Sequence, residues 1–368
     1  MAGERGEAAS MGERVRKLVG LATREAPEVG ATPHEVVWRE NKWRLLRFEP
    51  PAGVVRRGAP VVMVPSLINR YYVLDLMPGK SMAEWLVAKG HDVYCVDWGT
   101  PGPEDRELDL AAIADRALGR AVRIATRLSR GSVSHGERGE RPHLLGYCMG
   151  GTLATVFAAL HPERVGSLAT MAAPVRFDGE GLLGRWTRTA GFDVDALVDA
   201  TGLVPWELLQ GAFHMLRPTN NLAKVVTLVD RAWSDPYLDG FLALETWAND
   251  NVSIPGAFYR QWIVDFYRED RLFEGSLEVR GRPARLDAID CPTLAVAFEH
   301  DMIAPAPGCL ALVDAERGVG SSGDPSLRRG VTLSGSHIGG TTSSAAKKGL
   351  WPLLSGFWRE VEAAGRGA

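Results

Sequence analysis

The chain has 368 residues, 45% of them hydrophobic and 24% charged, with a formal net charge of −3. That balance is ordinary for a globular protein; it gives no general attraction for nucleic acid or anionic membranes, and the length admits one large domain or two modest ones. No run nears the ~20 apolar residues of a transmembrane segment, and the start of the chain mixes Glu4, Glu7 and Glu13 with arginines instead of forming a secretory leader, so cytoplasmic residence is expected.

Residues 1–30 are small, charged and weakly periodic, and read as a flexible N-terminal segment. Strand-like stretches at 35–38 and 43–48, separated by Glu40-Asn41-Lys42, make a hairpin pattern. The run at 60–64 has the short, wholly apolar character of a strand buried on both faces. A helix at 81–89 stops at Gly90, a strand follows at 92–97, and 108–128 carries apolar residues at the spacing of one long helix. After a polar loop at 131–141 come a strand at 142–146, a helix at 152–160 ending before Pro162, and a strand at 167–172.

This alternation predicts an α/β architecture, a mostly parallel sheet with helices on both faces. From about 174 to 280 it lapses into aromatic-rich helices and loops punctuated by Pro205, Pro218, Pro236 and Pro255, a pattern of an inserted helical cap. Trp206, Trp233, Trp247 and Trp262 fall there, either packing the cap or shaping a substrate path. Strands resume at 293–298 and 330–334, after a glycine- and charge-rich loop at 317–329, and a helix at 348–363 closes the chain. The expected division is therefore 1–30 flexible, 31–173 and 281–368 the two parts of the core, and 174–280 the cap.

The four cysteines, Cys95, Cys148, Cys291 and Cys309, lack the paired spacings of a zinc site or disulfide scaffold, and no metal is expected. Cys95 and Cys291 sit in or beside apolar strands and read as buried thiols. Cys148 differs: it centres Gly146-Tyr147-Cys148-Met149-Gly150-Gly151, directly after a strand. This is the G-x-S-x-G nucleophile elbow of the α/β-hydrolase fold with cysteine replacing serine. Cysteine is the stronger nucleophile and forms a thioester with an acyl group, which suits acyl exchange between thioesters.

In that fold an acid follows a later strand and a histidine follows the last one. Asp301 stands in Glu299-His300-Asp301-Met302 after the strand at 293–298, and His337 in Gly335-Ser336-His337 after the strand at 330–334. His337 would take the thiol proton of Cys148 or stabilise the thiolate, and Asp301 would hold the imidazole in its working tautomer. Glu299 is an alternative acid and His300 an alternative base, whereas His91, His143, His161 and His214 have no motif around them. Backbone donors for an oxyanion would come from Met149, heading the helix after the nucleophile, and from Leu67 or Ser66 after the strand at 60–64. No glycine-rich phosphate loop or arginine-rich clamp for coenzyme A is recognisable.

Several strings recur together beyond these residues: Pro65-Ser66-Leu67-Ile68-Asn69-Arg70-Tyr71-Tyr72-Val73-Leu74-Asp75-Leu76, Gly90-His91-Asp92-Val93-Tyr94-Cys95-Val96-Asp97-Trp98-Gly99, and Glu245-Thr246-Trp247-Ala248-Asn249-Asp250-Asn251-Val252 followed by Pro255-Gly256. With the cysteine elbow they resemble the catalytic subunit of poly(3-hydroxyalkanoate) synthases, of the short class III/IV type, from about Ala31 onward. The resemblance implies that (R)-3-hydroxyacyl-CoA acylates Cys148, that coenzyme A leaves, and that the hydroxyl of one unit attacks the thioester of another. His337 is then the base, and Asp301 supports His337 or activates the 3-hydroxyl. It also implies a homodimer, a second noncatalytic synthase subunit, residence at the surface of polyester granules, and no cofactor, coenzyme A being part of the substrate.

Two positions depart from the family: Met302 stands where histidine is common, and Ser336 where glycine is common. Neither is a triad member, so a changed rate or substrate range is expected. A cysteine hydrolase of the same fold, a thioesterase or an intracellular polyhydroxyalkanoate depolymerase, would use the same residues and differ only in admitting water. A noncatalytic granule protein is the third reading, disfavoured by the complete triad.

Overall fold

The computed structural model describes residues 11–21, 23–130, 141–178, 181–216, 220–314, 317–319 and 328–366. Eight strands form one sheet: β1 (His34–Glu40), β2 (Trp43–Phe48), β3 (Val61–Val64), β4 (Val93–Asp97), β5 (His143–Tyr147), β6 (Ser167–Met171), β7 (Thr293–Phe298) and β8 (Arg328–Leu333). Their order is β1-β2-β4-β3-β5-β6-β7-β8. The hairpin β1–β2 and the β2–β4 pair are antiparallel, and every other pair is parallel. The hairpin closes at Asn41, whose φ of 52° is a left-handed conformation that asparagine tolerates.

Side chains alternate across the sheet, so adjacent residues serve opposite cores. Val62 and Val64 pack into one cluster with Ala121, Leu153 and Phe157, and Val61 and Met63 into another with Leu86, Trp351 and Trp358. The helices involved are α1 (Met82–Ala88), α2 (Leu118–Arg130), α3 (Met149–Leu160) and, at the chain's end, Leu350–Arg366. Ser81 caps α1, its hydroxyl accepting from the Glu84 amide at 2.9 Å. Burial on both faces explains why β3 reads as an unbroken apolar run.

The long helix expected at 108–128 is divided: Ala111–Ala117 is π-helical, and α2 follows. Helix α3 begins three residues before the expected start, at Met149, because packing of Gly150 and Gly151 against neighbouring backbone outweighs their weak helix propensity. Between β6 and β7 lie the helices Leu182–Thr187, Val194–Thr201, Trp206–Leu216, Asn220–Arg231, Asp235–Asn249 and Gly256–Gln261, and the π-helical turn Trp262–Arg268.

Part of the segment expected to be flexible is ordered: Met11–Leu21 is helical. Lys17 Nζ donates to the Trp233 carbonyl and to Asp235, both at 2.8 Å, and Arg24 reaches Asp235 and Asp239. These long-range ion pairs are invisible to local periodicity. The loop at 131–140 and most of the loop at 317–329 lie outside the described residues. Among the described residues no helix is long and apolar enough to cross a membrane, and no group of His, Cys, Asp or Glu could hold a metal ion.

Candidate active site

Strand β5 is buried along its whole length and delivers Cys148 to the carboxyl end of the sheet, where α3 begins at the next residue. Cys148 has φ 55° and ψ −135°, a conformation that costs a non-glycine residue free energy and is retained where surrounding contacts enforce it. The enforcement comes from the glycines. A Cβ on Gly146 would collide with the backbone of Gly151, and one on Gly150 with the carbonyls of Val64 and Pro65. The turn is therefore pressed directly against the end of β3.

Asp301 and His337 meet beside this turn. His337 Nδ1 lies 2.7 Å from Asp301 Oδ2, with both residues buried. The other carboxylate oxygen, Oδ1, accepts the amides of Ile303 and Ala304 at 2.9 Å each, which fixes the acid's orientation. Tyr147 packs its ring 5.3 Å from that of His337 and donates its hydroxyl to the His337 carbonyl at 3.2 Å. The Cys148 sulfur lies near enough to the imidazole to favour its charged form. Burial opposes charge on the ring, but the Cys148 sulfur and the Asp301 carboxylate outweigh it and raise the His337 pKa to about 10. Asp301 and His337 are thus paired, with the partly accessible Cys148 beside the ring.

Glu299 and His300 are exposed, and their amides are held by the carbonyls of Leu333 and Gly335 at 3.1 and 3.0 Å. Met302 is 46% exposed and stands outside the hydrogen bonds of the Asp301–His337 pair. The Ser336 carbonyl accepts from the Gly340 amide at 2.8 Å, so the position next to His337 acts through its backbone in holding the loop. His91, His143 and His161 are engaged with Ser355, Ser167 and Asp115 respectively, and His214 is exposed. Cys95, Cys291 and Cys309 are buried thiols.

The loop after β3 runs past the nucleophile. Met149 and Leu67 are both buried, and Trp98 Nε1 donates to the Pro65 carbonyl at 2.9 Å, anchoring the loop from β4. Asp250 ties the β6–β7 insertion to this loop. Arg70 Nε donates to Asp250 Oδ1 at 2.9 Å and the Tyr72 hydroxyl to Oδ2 at 2.7 Å. Trp247 Nε1 donates to the Arg70 carbonyl at 3.0 Å, the Val252 amide to the Ile68 carbonyl at 3.1 Å, and Asn69 pairs with Asn251. The two unusual strings are two sides of one seam joining the β6–β7 insertion to the loop beside Cys148.

Tyr267 was missed from the sequence. It lies on the π-helical turn Trp262–Arg268, and burial together with the nearby Cys148 sulfur pushes its phenol upward. The π-helical irregularity, of a kind frequent at functional sites, is a structural signal with no local sequence signature.

A strained cysteine elbow, with a histidine and an acid from the loops after later strands beside it, is the arrangement of an α/β-hydrolase-fold protein with sulfur at the elbow. The model of that fold matches residues 59–315, and a model described as the N-terminus of poly-beta-hydroxybutyrate polymerase (PhaC) matches residues 22–86. Poly(3-hydroxyalkanoate) polymerase subunit PhaC of Allochromatium vinosum is 33% identical, over 93% of this chain and 92% of its own length. The subunits of the same name from Synechocystis sp. and Haloferax mediterranei are 35% and 34% identical; the alignments cover 78% and 90% of this chain and 75% and 65% of theirs. The chain thus spans about two thirds of the Haloferax relative. A solved protein from Sulfolobus solfataricus, described as a candidate lipase, superposes with a TM-score of 0.53 over 92% of this chain and 97% of its own, at 14% identity, a likeness of fold alone. The chain belongs to the PhaC family of poly(3-hydroxyalkanoate) polymerases.

Proposed function

We propose that the chain polymerises (R)-3-hydroxyacyl-CoA thioesters into poly(3-hydroxyalkanoate) with release of coenzyme A, through covalent thioesters on Cys148. The observation that carries this reading is the buried Asp301–His337 pair beside a cysteine elbow in a PhaC-family chain. Cys148 sulfur attacks the thioester carbonyl, the bond from that carbon to the coenzyme A sulfur breaks, and the Cys148 proton passes through His337 to the departing thiolate. The 3-hydroxyl of one unit then attacks the acyl thioester of another. An ester bond forms, the carbon–sulfur bond breaks, and the hydroxyl proton returns through His337 to the freed thiolate. Asp301 holds the ring tautomer throughout.

The amides of Met149 and Leu67 serve as the oxyanion donors, supported by their position at the start of α3 and on the loop pressed against the elbow. Residues 174–280 act as the cap, and Tyr267 with its apolar neighbours keeps water from the thioester, which favours a chain hydroxyl over hydrolysis. The reaction as written needs no cofactor. A homodimer, a second noncatalytic synthase subunit and a cytoplasmic site at the granule surface complete the proposal, supported by family membership.

Mixing the protein with 3-hydroxybutyryl-CoA tests it. Coenzyme A release with growing turbidity is the expected result, in the presence of the partner subunit if one is required. Release with only free hydroxy acid would assign a hydrolase, and no release would assign a noncatalytic granule protein.

A further inference from the structure

At the end of β5 opposite Cys148 lies a cavity of about 450 Å³ lined by Val122, Arg123, Thr126, Arg127, Arg141, Pro142, Glu163 and Arg164. Its basic residues come from three places in the chain. Arg123 and Arg127 are one turn apart on α2, Arg141 precedes β5, and Arg164 ends the short turn after α3. Strand β5 rises ~3.3 Å per residue, so its five residues put the cavity some ~17 Å or more from the nucleophile. The cavity is separate from the candidate active site.

Four guanidinium groups face one exposed carboxylate, Glu163, which lies 3.8 Å from His161 Nδ1. Among the described residues Arg123, Arg127 and Arg141 make no ion pair. Arg123 and Arg127 stand at i and i+4 on α2, where like charges repel each other. Arg164 is held in place by its bond to the Gly119 carbonyl and its position over the Phe157 ring, 5.1 Å from the centroid. Burial and the charge of Arg123 pull its pKa below the usual arginine value, with Glu163 and Asp115 acting the other way. A concave site with four guanidinium groups and one lining carboxylate suits an oxyanion, and guanidinium forks match phosphate oxygens in pairs.

We propose that this cavity binds the phosphates of a small diphosphate-bearing anion, held by Arg123, Arg127, Arg141 and Arg164. The volume exceeds a single phosphate and falls within the range of small-molecule sites. The inference is independent of the proposed polymerase activity. No sequence motif announces the site, because the arginines converge only when β5, α2 and the turn after α3 assemble.

Isothermal titration of the full chain with inorganic pyrophosphate, and separately with ADP, tests it. Saturable binding tighter than about 1 mM is expected, weakened at least ~10-fold in the double variant R123Q/R127Q. Both positions are exposed, so the variant should keep its melting temperature. R285Q, which removes an exposed arginine from its contact with Asp287, should bind as the parent does. ADP binding more tightly than pyrophosphate would assign a nucleotide, and equal affinities the diphosphate alone. No saturable binding, undiminished affinity in R123Q/R127Q, or an equal loss in R285Q would overturn the proposal.

Discussion

Replacing Asp301 with asparagine isolates what the carboxylate does for His337. The side-chain oxygen of asparagine can keep the two 2.9 Å bonds from Ile303 and Ala304, so the loop should hold its shape. The remaining position, 2.7 Å from His337 Nδ1, then carries an NH2 group where an acceptor stood. Donor would face donor unless the ring shifts its proton to Nε2, the nitrogen left for Cys148. In that tautomer His337 cannot receive the thiol proton. A wrong-tautomer defect of this kind costs about 10³–10⁴ in turnover, or ~4–5.5 kcal/mol of barrier. Steady-state loss of the thioester absorbance of 3-hydroxybutyryl-CoA measures it, alongside a denaturant curve expected to shift by ~1–3 kcal/mol at most. Folded D301N protein turning over within tenfold of the parent would refute the assignment of Asp301 to His337.

Three other outcomes follow from the same contacts. Gly150→Ala drives a Cβ into the Val64 and Pro65 carbonyls, which are backbone and cannot swing away, so denaturation should show a loss of ~2 kcal/mol or more together with lost turnover. His91 is buried, and burial lowers its pKa to about 4 from 6.5, so the folded state binds fewer protons than the unfolded between those values. Its contribution is complete above pH 6.5 and is lost as pH falls toward 4; urea unfolding should show about 2 kcal/mol less stability at pH 5 than at pH 7 from this group, and His91→Gln should remove that part of the slope. Asp250 is 42% exposed on its side chain, so a double-mutant cycle with Arg70→Ala and Asp250→Ala should return a coupling of only ~1 kcal/mol.

The core was legible because its signals are local. The wholly apolar run of β3 and the apolar stretches of β4 and β5 mark buried strands, and the glycines around Cys148 mark a turn with no room for side chains. Chain order alone put Asp301 and His337 on the loops that meet. What failed to show was set by distance in sequence. Asp250 meets Arg70 across 180 residues, Tyr267 approaches Cys148 from the insertion, and Lys17 docks on Asp235 across 218. The π-helical turn at Ala111–Ala117 keeps nearly the same apolar pattern as an α-helix, so periodicity could not separate the two.

The central claim is that the acyl group is carried on Cys148, and peptide mapping after rapid acid quench of the protein mixed with 3-hydroxybutyryl-CoA tests it most directly. The account predicts a hydroxybutyryl adduct, or its oligomers, on the peptide containing Cys148, no adduct on those containing Cys95, Cys291 or Cys309, and no coenzyme A release from Cys148→Ala. Coenzyme A release that persists in Cys148→Ala, or an adduct carried elsewhere, would contradict it.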